Sequence, residues 1–425
     1  MPPIRFIHAA DLHLDAAFSG LSRDIPADFA ERLRTATFTA FRRLLDLCER
    51  ESLDFLLLAG DVYNQEDASV SAQLALRDGF RRLESLSIPV FLVHGNHDPL
   101  ASRLRSVRWP GNVTVFGELP DAVPVFRKGE GTPFAIIHGA SHASGRETRN
   151  LAALFRRTEA CGLHVGLLHA TPGDADGVAR YAPFSQEDLK ASGMDYWALG
   201  HIHDRREVCR EPLAAYPGCT QGLHINEPGE KGCLLVTAEA RPDGGYAVRT
   251  SFRPLGPAVW KTLDMDLGGA ASLDELENRL RTGLDRAAAE VWSGCEMLLV
   301  RLRLQGRTEL DGLLRKGTTC AELADRLRED GSGVPRIWIK DIDVATRPCV
   351  ERGALLERED LLGEVFRLSE AARTASGLQA LREGPLAPLF AHARAGKALE
   401  PLTDEELARL LDDAESLCLD LLEND

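Results

Sequence analysis

Apolar residues in the first half of the chain fall into short runs, and segments with helical periodicity separate these runs. We predict buried strands over five of the runs, at residues 4–8, 55–59, 90–93, 165–168 and 196–199. Apolar residues recur at three- and four-residue spacing in 30–50 and 71–86, which predicts two helices. Strands that alternate with helices indicate an α/β fold built as a layered sandwich.

The pattern changes after the fifth run. Segments 233–240 and 246–254 flank a turn that contains Gly and Pro, which predicts a hairpin. Gly256 and Pro257 come soon after this hairpin, so we place the end of the first domain at residue 255.

A smaller domain is predicted over 256–350, followed by a helical segment over 351–425. The smaller domain has an α+β pattern of helix, strand, helix and strand, at 273–289, 297–304, 309–327 and 336–343. In the last segment Thr403, with Glu406 three residues later, resembles a capping box that opens the final helix.

Composition points to a soluble protein of two or three domains. The chain has 425 residues, 44% of them hydrophobic, and no apolar run approaches the 18 residues of a membrane span. Its start has no basic segment followed by an apolar one, so no signal peptide is apparent. The nine cysteines are scattered and form no CxxC pair, which fits a reducing compartment. We therefore expect a cytoplasmic protein with no membrane attachment.

The net charge of −15 is unevenly distributed. Residues 1–250 contain 27 basic and 32 acidic residues, whereas 251–425 contain 23 and 33. A DNA-binding protein would more naturally carry basic surface, but the acidity is concentrated away from the first domain. Two small basic groups lie in that domain, and each suits a solvated surface or a phosphate site equally well: Arg103, Arg105 and Arg108, and Arg205, Arg206 and Arg210.

A polar cluster follows each of the five predicted strands. In chain order the clusters are Asp11-x-His13, Gly60-Asp61, Gly95-Asn96-His97-Asp98, His169 and Gly200-His201-Ile202-His203. Ligands of α/β sheets bind beyond the carboxyl ends of the strands, so the five clusters are expected to converge on one site. Side chains two residues apart in a strand share a side, which predicts that Asp11 and His13 reach one metal ion. The same argument places His201 and His203 together.

The chemistry of this set indicates a two-metal site. Its ligands are carboxylates, imidazoles and one amide, which favour Mn²⁺, Mg²⁺ or Fe over a structural zinc ion. Seven ligands are too many for one ion with open positions, but they suit two ions about 3.5–4 Å apart that share a carboxylate. Such a pair activates a water molecule for attack on a phosphodiester. His97, which is not needed as a ligand, could then protonate the leaving oxygen.

The five motifs in this order resemble those of the calcineurin-like metallophosphoesterase family, over residues 4 to about 233. Within that family the chain is similar to SbcD-type DNA repair nucleases, and to the YhaO-like branch in particular. The loop 216–232, YPGCTQGLHINEPGEKG, carries this second likeness. The resemblance implies a phosphoesterase (nuclease) sandwich at 1–255, a small α+β capping domain at 256–350 and a helical partner-docking segment at 351–425.

The resemblance also implies a role for each residue of the site. One ion would be held by Asp11, His13, Asp61 and His203, and the other by Asp61, Asn96, His169 and His201. Asp61 would bridge the two ions, and manganese is the expected metal, with Mg²⁺ or Fe as the alternatives. His97 would be the catalytic acid, and Asp98 would orient it by accepting a hydrogen bond. Some members have a histidine that engages the DNA end where this chain has Asn64, which leaves exonuclease or endonuclease activity open.

The expected function is therefore metal-dependent phosphodiester hydrolysis, as a DNA exonuclease or endonuclease acting at DNA ends in repair. The implied partners are DNA and an SMC-like or AAA-type ATPase of the SbcC kind, which the helical segment would bind, and a homodimer is compatible with the sequence. Two alternatives stay open. One is a phosphoesterase for a nucleotide, phosphoprotein or lipid pyrophosphate, and the other is a non-catalytic scaffold for an ATPase.

Overall fold

The computed structural model divides the chain into two compact units. The first contains Met1–Leu263, Arg281–Leu302 and Glu322–Ile342, and the second contains Asp264–Leu280, Arg303–Ala321 and Asp343–Asp425. The structure describes residues 2–21, 25–63, 69–102, 107–174, 180–242, 244–329, 333–349, 352–392 and 402–422. The domain boundaries predicted at residues 255 and 350 stay predictions.

Two six-stranded sheets form most of the first unit. Their strands, in chain order, are β1 (Ile4–Ala9), β2 (Phe55–Ala59), β3 (Val90–Val93), β4 (Val113–Val115), β5 (Asp121–Val125), β6 (Ala135–Ala140), β7 (Leu163–His169), β8 (Tyr196–Gly200), β9 (Arg206–Arg210), β10 (Leu213–Tyr216), β11 (Gly232–Ala240) and β12 (Tyr246–Pro254). One sheet has the order β12-β11-β1-β2-β3-β4, and the other β5-β6-β7-β8-β10-β9. All five predicted buried strands and the predicted hairpin are confirmed.

The central strands of both sheets are parallel, which sends their carboxyl ends to the same edge. β1, β2 and β3 pair in parallel, as do β6, β7 and β8. Apolar side chains fill the space between the sheets, including Phe6, Phe55 and Tyr196. Buried His8 crosses this space, with Nδ1 2.9 Å from the Tyr196 hydroxyl and Nε2 3.1 Å from the Leu199 carbonyl. The sandwich thus presents the ends of five strands together.

Helices cover the outer face of the first sheet. The helices in this part of the chain are α1 (Ala27–Arg34), α2 (Ala36–Glu51), α3 (Val70–Ser85) and α4 (Gln186–Ala191), with one 3-10 turn at Ala152–Leu154. The single helix predicted at 30–50 is instead divided at Thr35, whose hydroxyl bonds to the Glu31 carbonyl. α2 and α3 bury Leu44 and Phe80 against Leu56 of the sheet.

A third sheet contains β13 (Ala258–Asp266), β14 (Met297–Thr308) and β15 (Arg336–Pro348), in that order. The associated helices are α5 (Leu273–Glu290), α6 (Asp311–Leu314) and α7 (Thr319–Glu329). The α+β pattern is confirmed, but β13 was not predicted, and the predicted helix 309–327 is two helices.

The last part of the described chain is helical, as predicted. Its helices are α8 (Arg352–Leu356), α9 (Leu361–Ala372), α10 (Ala375–Glu383), α11 (Ala387–Ala391) and α12 (Asp404–Leu422). The capping box before α12 is confirmed, because the Thr403 N–H donates to Glu406 Oε2 at 2.7 Å and the Glu406 N–H donates to Thr403 Oγ1 at 3.2 Å. Among the described residues no helix is long and apolar enough to cross a membrane.

Candidate metal centre

The loops after β1, β2, β3, β7 and β8 meet at one edge of the sandwich, and their backbones are hydrogen-bonded to each other. The N–H of Asp11 donates to the Gly60 carbonyl, and the N–H of His13 donates to the Asp61 carbonyl, both at 3.1 Å. Asp11, His13 and Asp61 have φ values of 50°, 40° and 48°. Left-handed backbone is uncommon outside glycine and clusters at functional sites. These residues have left their strands, so the strand-alternation argument for Asp11 and His13 does not apply.

A first group of ligand atoms comes from Asp11, His13 and His203, all within 4.8 Å of one another. Nε2 of His13 lies 3.2 Å from Nε2 of His203, and Asp11 Oδ1 lies 3.9 Å from the same His203 nitrogen. Asp11 Oδ1 is buried and has no hydrogen-bond partner in the described part of the chain. A buried carboxylate oxygen without a partner is costly, and a cation would satisfy it.

The second group consists of Asp61, His169 and His201. His169 Nε2 lies 3.3 Å from Asp61 Oδ2 and 3.0 Å from Asn96 Oδ1, so Asn96 borders the group as well. His201 and His203 therefore belong to different groups, and the prediction that alternation places them on one ion is wrong. His201 has a φ of 104°, which is not a strand conformation. The division agrees with the one that the family resemblance implied.

Burial and mutual attraction set the protonation of the second group in the protein alone. Burial would raise the pKa of Asp61, but the neighbouring His169 outweighs it and holds that pKa below its usual range. Burial would lower the pKa of His169, but the Asp61 carboxylate raises it to about 9. The two side chains therefore attract each other as opposite charges, and a divalent cation would bind them in competition with protons.

In the first group, of Asp11, His13 and His203, burial favours the neutral forms of Asp11 and His13. Burial raises the pKa of Asp11 and lowers the pKa of His13. The three side chains offer a carboxylate oxygen and two facing imidazole nitrogens, which is a donor set suited to a divalent cation. Together the two groups fit a pair of divalent ions. Asp11, His13 and His203 would hold one, and Asp61, Asn96, His169 and His201 the other. A bridging role for Asp61 stays a prediction.

Glycines in the motifs allow the loops to approach this closely. A Cβ atom on Gly95 would lie 2.3 Å from Asp61 Oδ1 and 2.8 Å from the His169 ring. A Cβ atom on Gly200 would lie 1.8 Å from the Ala59 carbonyl oxygen. Both contacts are far below van der Waals separation, so the absence of a side chain at these positions is a condition for assembling the second group.

His97 and Asp98 occupy different environments. The exposed His97 ring stands edge-on to the His13 ring, with centroids 5.1 Å apart. The backbone N–H of His97 donates to Asp61 Oδ1 at 2.9 Å. Buried Asp98 accepts hydrogen bonds from the Gly95 N–H at 2.7 Å and the Val62 N–H at 3.0 Å. Among the described residues it has no bond to the His97 ring. The expected orienting bond is therefore wrong, and Asp98 instead fastens the loop that carries His97.

Two residues at the site were not predicted to act there. Glu227 Oε1 lies 2.5 Å from His203 Nδ1, and its other oxygen accepts from the Leu223 N–H at 2.7 Å. Burial would raise the pKa of Glu227, but the bond with His203 lowers it to about 2. Lys231 is almost fully buried and donates from Nζ to the His203 carbonyl at 3.0 Å. Both lie in the loop 216–232, whose likeness to the YhaO-like branch was the available signal.

Two buried residues, His142 and Cys219, pack against the backbone of the ligand histidines. His142 is fully buried, with Nε2 2.6 Å from the His169 carbonyl oxygen, and burial lowers its pKa to about 4. That environment favours its packing role over contact with a substrate. Burial raises the pKa of the Cys219 thiol well above its usual value, which is unsuited to a nucleophile. Asn64, Arg103 and Arg105 lie outside the described residues.

Known families match the chain in two places. The profile described as calcineurin-like phosphoesterase matches residues 4–205. The profile described as metallophosphoesterase YhaO, middle domain, matches residues 260–347.

Individual relatives extend the likeness. The chain is 34% identical over 388 residues to the uncharacterized metallophosphoesterase YhaO of Bacillus subtilis, covering 90% of this chain and 91% of that protein. It is 26% identical over 313 residues to the DNA double-strand break repair protein Mre11 of Aeropyrum pernix, covering 68% and 69%. A dimetal phosphatase from Danio rerio aligns in structure at 13% identity with a TM-score of 0.33, over 59% of this chain and 99% of that one.

Proposed function

This chain belongs to the calcineurin-like metallophosphoesterase family, and we propose that within it the protein is a metal-dependent nuclease that hydrolyses phosphodiester bonds at DNA ends. The observation that carries the proposal is the exposed ring of His97 beside two adjacent groups of ligand atoms. A proton donor outside the ligand set is what cleavage of an unactivated phosphodiester requires, because the leaving oxygen must be protonated.

The chain's own residues divide the chemistry between them. Two divalent ions, when bound, supply Lewis-acid activation of the phosphoryl group and of the attacking water. His97 delivers a proton to the leaving oxygen. Its position is held through the backbone, because its N–H is bonded to Asp61 and the loop around it is fastened by Asp98. The leaving-group side of the site is therefore the side of His97.

DNA as the substrate is supported by the relatives. The Mre11 proteins that match this chain are named for DNA double-strand break repair, and the match with the Aeropyrum pernix protein extends beyond the phosphoesterase region to 68% of the chain. A phosphoesterase for a small or protein-bound phosphate would use the same ligand groups, so the substrate must be tested directly.

The test is cleavage of end-labelled linear and hairpin DNA in the presence of Mn²⁺. The full-length protein should cut the DNA, and His97→Ala should abolish cutting while divalent ions still bind. His392→Ala, a histidine outside the first unit, is the matched control and should cut normally. Absence of DNA cleavage by the unaltered protein, with hydrolysis of bis-p-nitrophenyl phosphate retained, would assign the metal site to another phosphodiester substrate.

The second unit suggests how a partner is bound. Apolar residues at helical spacing are exposed on α9, at Leu361 and Leu368, and on α12, at Leu410, Leu417 and Leu421. Seven- and four-residue spacings place each set on one helix face, and Leu419, on the opposite face of α12, is buried. Exposed apolar patches of this kind support an interaction surface. We propose that an SMC-like or AAA-type ATPase covers it.

A double variant, Leu417→Glu with Leu421→Glu, tests this proposal. Complex formation with the ATPase, measured by co-purification, should be lost because two charges would be buried at the interface. Glu405→Gln, on the same helix, is the control. If the double variant kept its complex with the ATPase but no longer associated with itself, a second copy of this chain would be the partner that covers the surface.

A further inference from the structure

A groove opens between the edges of the two large sheets, beside the loop that follows the ligand His203. Its volume is about 350 Å³, within the range of small-ligand sites, and β9 and β10 face β11 and β12 across it. We call it the edge groove, and the lining residues used below are Arg205, Arg206, Glu207, Tyr216, Thr250 and Phe252. Arg205 follows the ligand His203 by two residues, so the groove begins where the metal centre ends.

The two arginines are exposed yet held in place by aromatic rings. Arg205 Cζ lies 4.1 Å from the centroid of the Phe252 ring, and Arg206 Cζ lies 5.5 Å from that of Tyr216. Neither makes an ion pair with a carboxylate in the part of the chain that the structure describes. Many other arginines of this acidic chain do, for example Arg43 and Arg82. The positive charge of Arg205 and Arg206 is therefore available to a ligand.

The geometry of these side chains suits phosphate. A guanidinium binds phosphate oxygens through two parallel N–H donors. Because cation–π contacts already restrict both side chains, less conformational freedom is lost when a phosphate binds. Glu207 is the one carboxylate of the lining, so the groove keeps a net positive charge. Thr250 adds a hydroxyl that can donate to a phosphate oxygen.

The groove is also tied rigidly to the metal centre. The buried Tyr216 hydroxyl donates to the Ala170 carbonyl at 2.7 Å, and Ala170 follows the ligand His169. Two further bonds connect the start of β11 to the loop that follows β8 and to the loop 216–232. Lys231 donates to the His203 carbonyl, and the Gly232 N–H donates to the Cys219 carbonyl. A ligand in the groove would thus be held at a fixed position relative to the scissile bond.

We propose that the edge groove binds the unpaired nucleic-acid strand that flanks the scissile phosphodiester, with Arg205 and Arg206 on backbone phosphates and the Arg205–Phe252 stack as a platform for a base. This inference rests on the proposed nuclease function. An unpaired strand fits because its bases are free to stack on such a platform, whereas the bases of a duplex are already stacked. Stacking accepts every base, so binding has little sequence preference.

The test is binding of a fluorescent single-stranded oligonucleotide to the full-length protein in EDTA, measured by anisotropy over a series of salt concentrations. The double variant Arg205→Gln, Arg206→Gln should bind at least about tenfold more weakly. The slope of log K against log salt should become shallower by about 1.4, because each lost contact with a phosphate of a single strand removes about 0.7. A general loss of structure would lower affinity without this change in slope.

Two further variants separate stacking from charge. Phe252→Leu should weaken binding about fivefold or more and leave the slope unchanged, because it removes a stacking surface but no cation. Arg210→Gln, on β9 but outside the edge groove, is the matched control and should retain both the affinity and the slope of the unaltered protein.

The outcomes distinguish this inference from the nuclease proposal. If the double variant kept both the oligonucleotide affinity and the salt slope of the unaltered protein, the proposed role of the edge groove would be wrong, even if the protein cleaves DNA. An equal change in Arg210→Gln would also overturn it, because the charge would then act as part of a diffuse surface. An unaltered protein that neither binds nor cleaves oligonucleotides, yet hydrolyses bis-p-nitrophenyl phosphate, would overturn both proposals together.

Discussion

Glu227 Oε1 lies 2.5 Å from Nδ1 of His203, and the opposite ring nitrogen faces the other two members of the first ligand group. Nε2 of His203 is 3.2 Å from Nε2 of His13 and 3.9 Å from Asp11 Oδ1. A carboxylate on one ring nitrogen keeps the proton there and leaves the other nitrogen to a metal ion. Glu227 therefore acts on the site through His203, as a positioning residue.

Replacing Glu227 with Gln should weaken metal binding about 10- to 100-fold, because the amide lacks the charge that fixes the ring tautomer. Calorimetric titration with Mn²⁺ measures the effect. Glu239→Gln, an exposed residue of β11, serves as the control and should bind normally. Equal affinities in the two variants would mean that Glu227 only braces its loop.

The role of His97 predicts a dependence on the leaving group. p-Nitrophenolate is stable as an anion and departs without a proton. A sugar oxygen of DNA must be protonated before it can depart. His97→Gln should therefore slow DNA cleavage by about 10²- to 10⁴-fold and slow hydrolysis of bis-p-nitrophenyl phosphate much less. Affinity for Mn²⁺ should be kept, since His97 belongs to neither ligand group. The same loss on both substrates would contradict proton donation and point to a disturbed site.

The crowding at Gly95 gives a prediction with a clean control. In Gly95→Ala the new methyl group would meet Asp61 Oδ1 at 2.3 Å. The free energy of unfolding should therefore fall by about 1–3 kcal/mol, and the affinity for metal should fall as well. At Gly117 an added Cβ meets nothing within 4 Å, so Gly117→Ala should change neither quantity appreciably. Urea unfolding in EDTA, followed by metal titration, compares them. Two equally stable variants would contradict the tight assembly described above.

Five strands of the sandwich, β1, β2, β3, β7 and β8, could be predicted from the sequence because they are buried on both faces and read as continuous apolar runs. The shorter and more exposed strands β4, β5 and β9 were not predicted. β13 could not be predicted, since exposed polar residues such as Thr262 and Asp264 alternate through its second half, which resembles a loop. The division at Thr35 was also missed. The apolar spacing continues through it, and the break depends on a local hydrogen bond that periodicity does not encode.

The candidate site shows a similar limit. Its residue types and their order predict the ligand set, because each motif ends a strand at the same edge. Which histidines share an ion depends on backbone that leaves the strand conformation, as at His13 and His201, and strand periodicity does not predict that. Glu227 lies in a loop more than twenty residues beyond His203, and only the folded loop brings the two together.

A buried histidine far from charge makes stability depend on pH. His8 is fully buried between the sheets, and burial lowers its pKa from 6.5 to about 3. Between these values the unfolded chain binds a proton that the folded chain excludes. The stability due to neutral His8 is therefore complete above pH 6.5 and is lost as the pH falls towards 3. At pH 5 the loss amounts to about 2 kcal/mol.

His8→Gln should remove this dependence. The difference in unfolding free energy between pH 7 and pH 5, measured with urea in EDTA, should be smaller than in the unaltered protein by about 2 kcal/mol. Tyr196→Phe deletes the hydroxyl that bonds to His8 but leaves the imidazole. That control should lose about 1 kcal/mol at both pH values and keep the full difference between them. If His8→Gln also kept the full difference, protonation of another group would have to account for the loss of stability in acid.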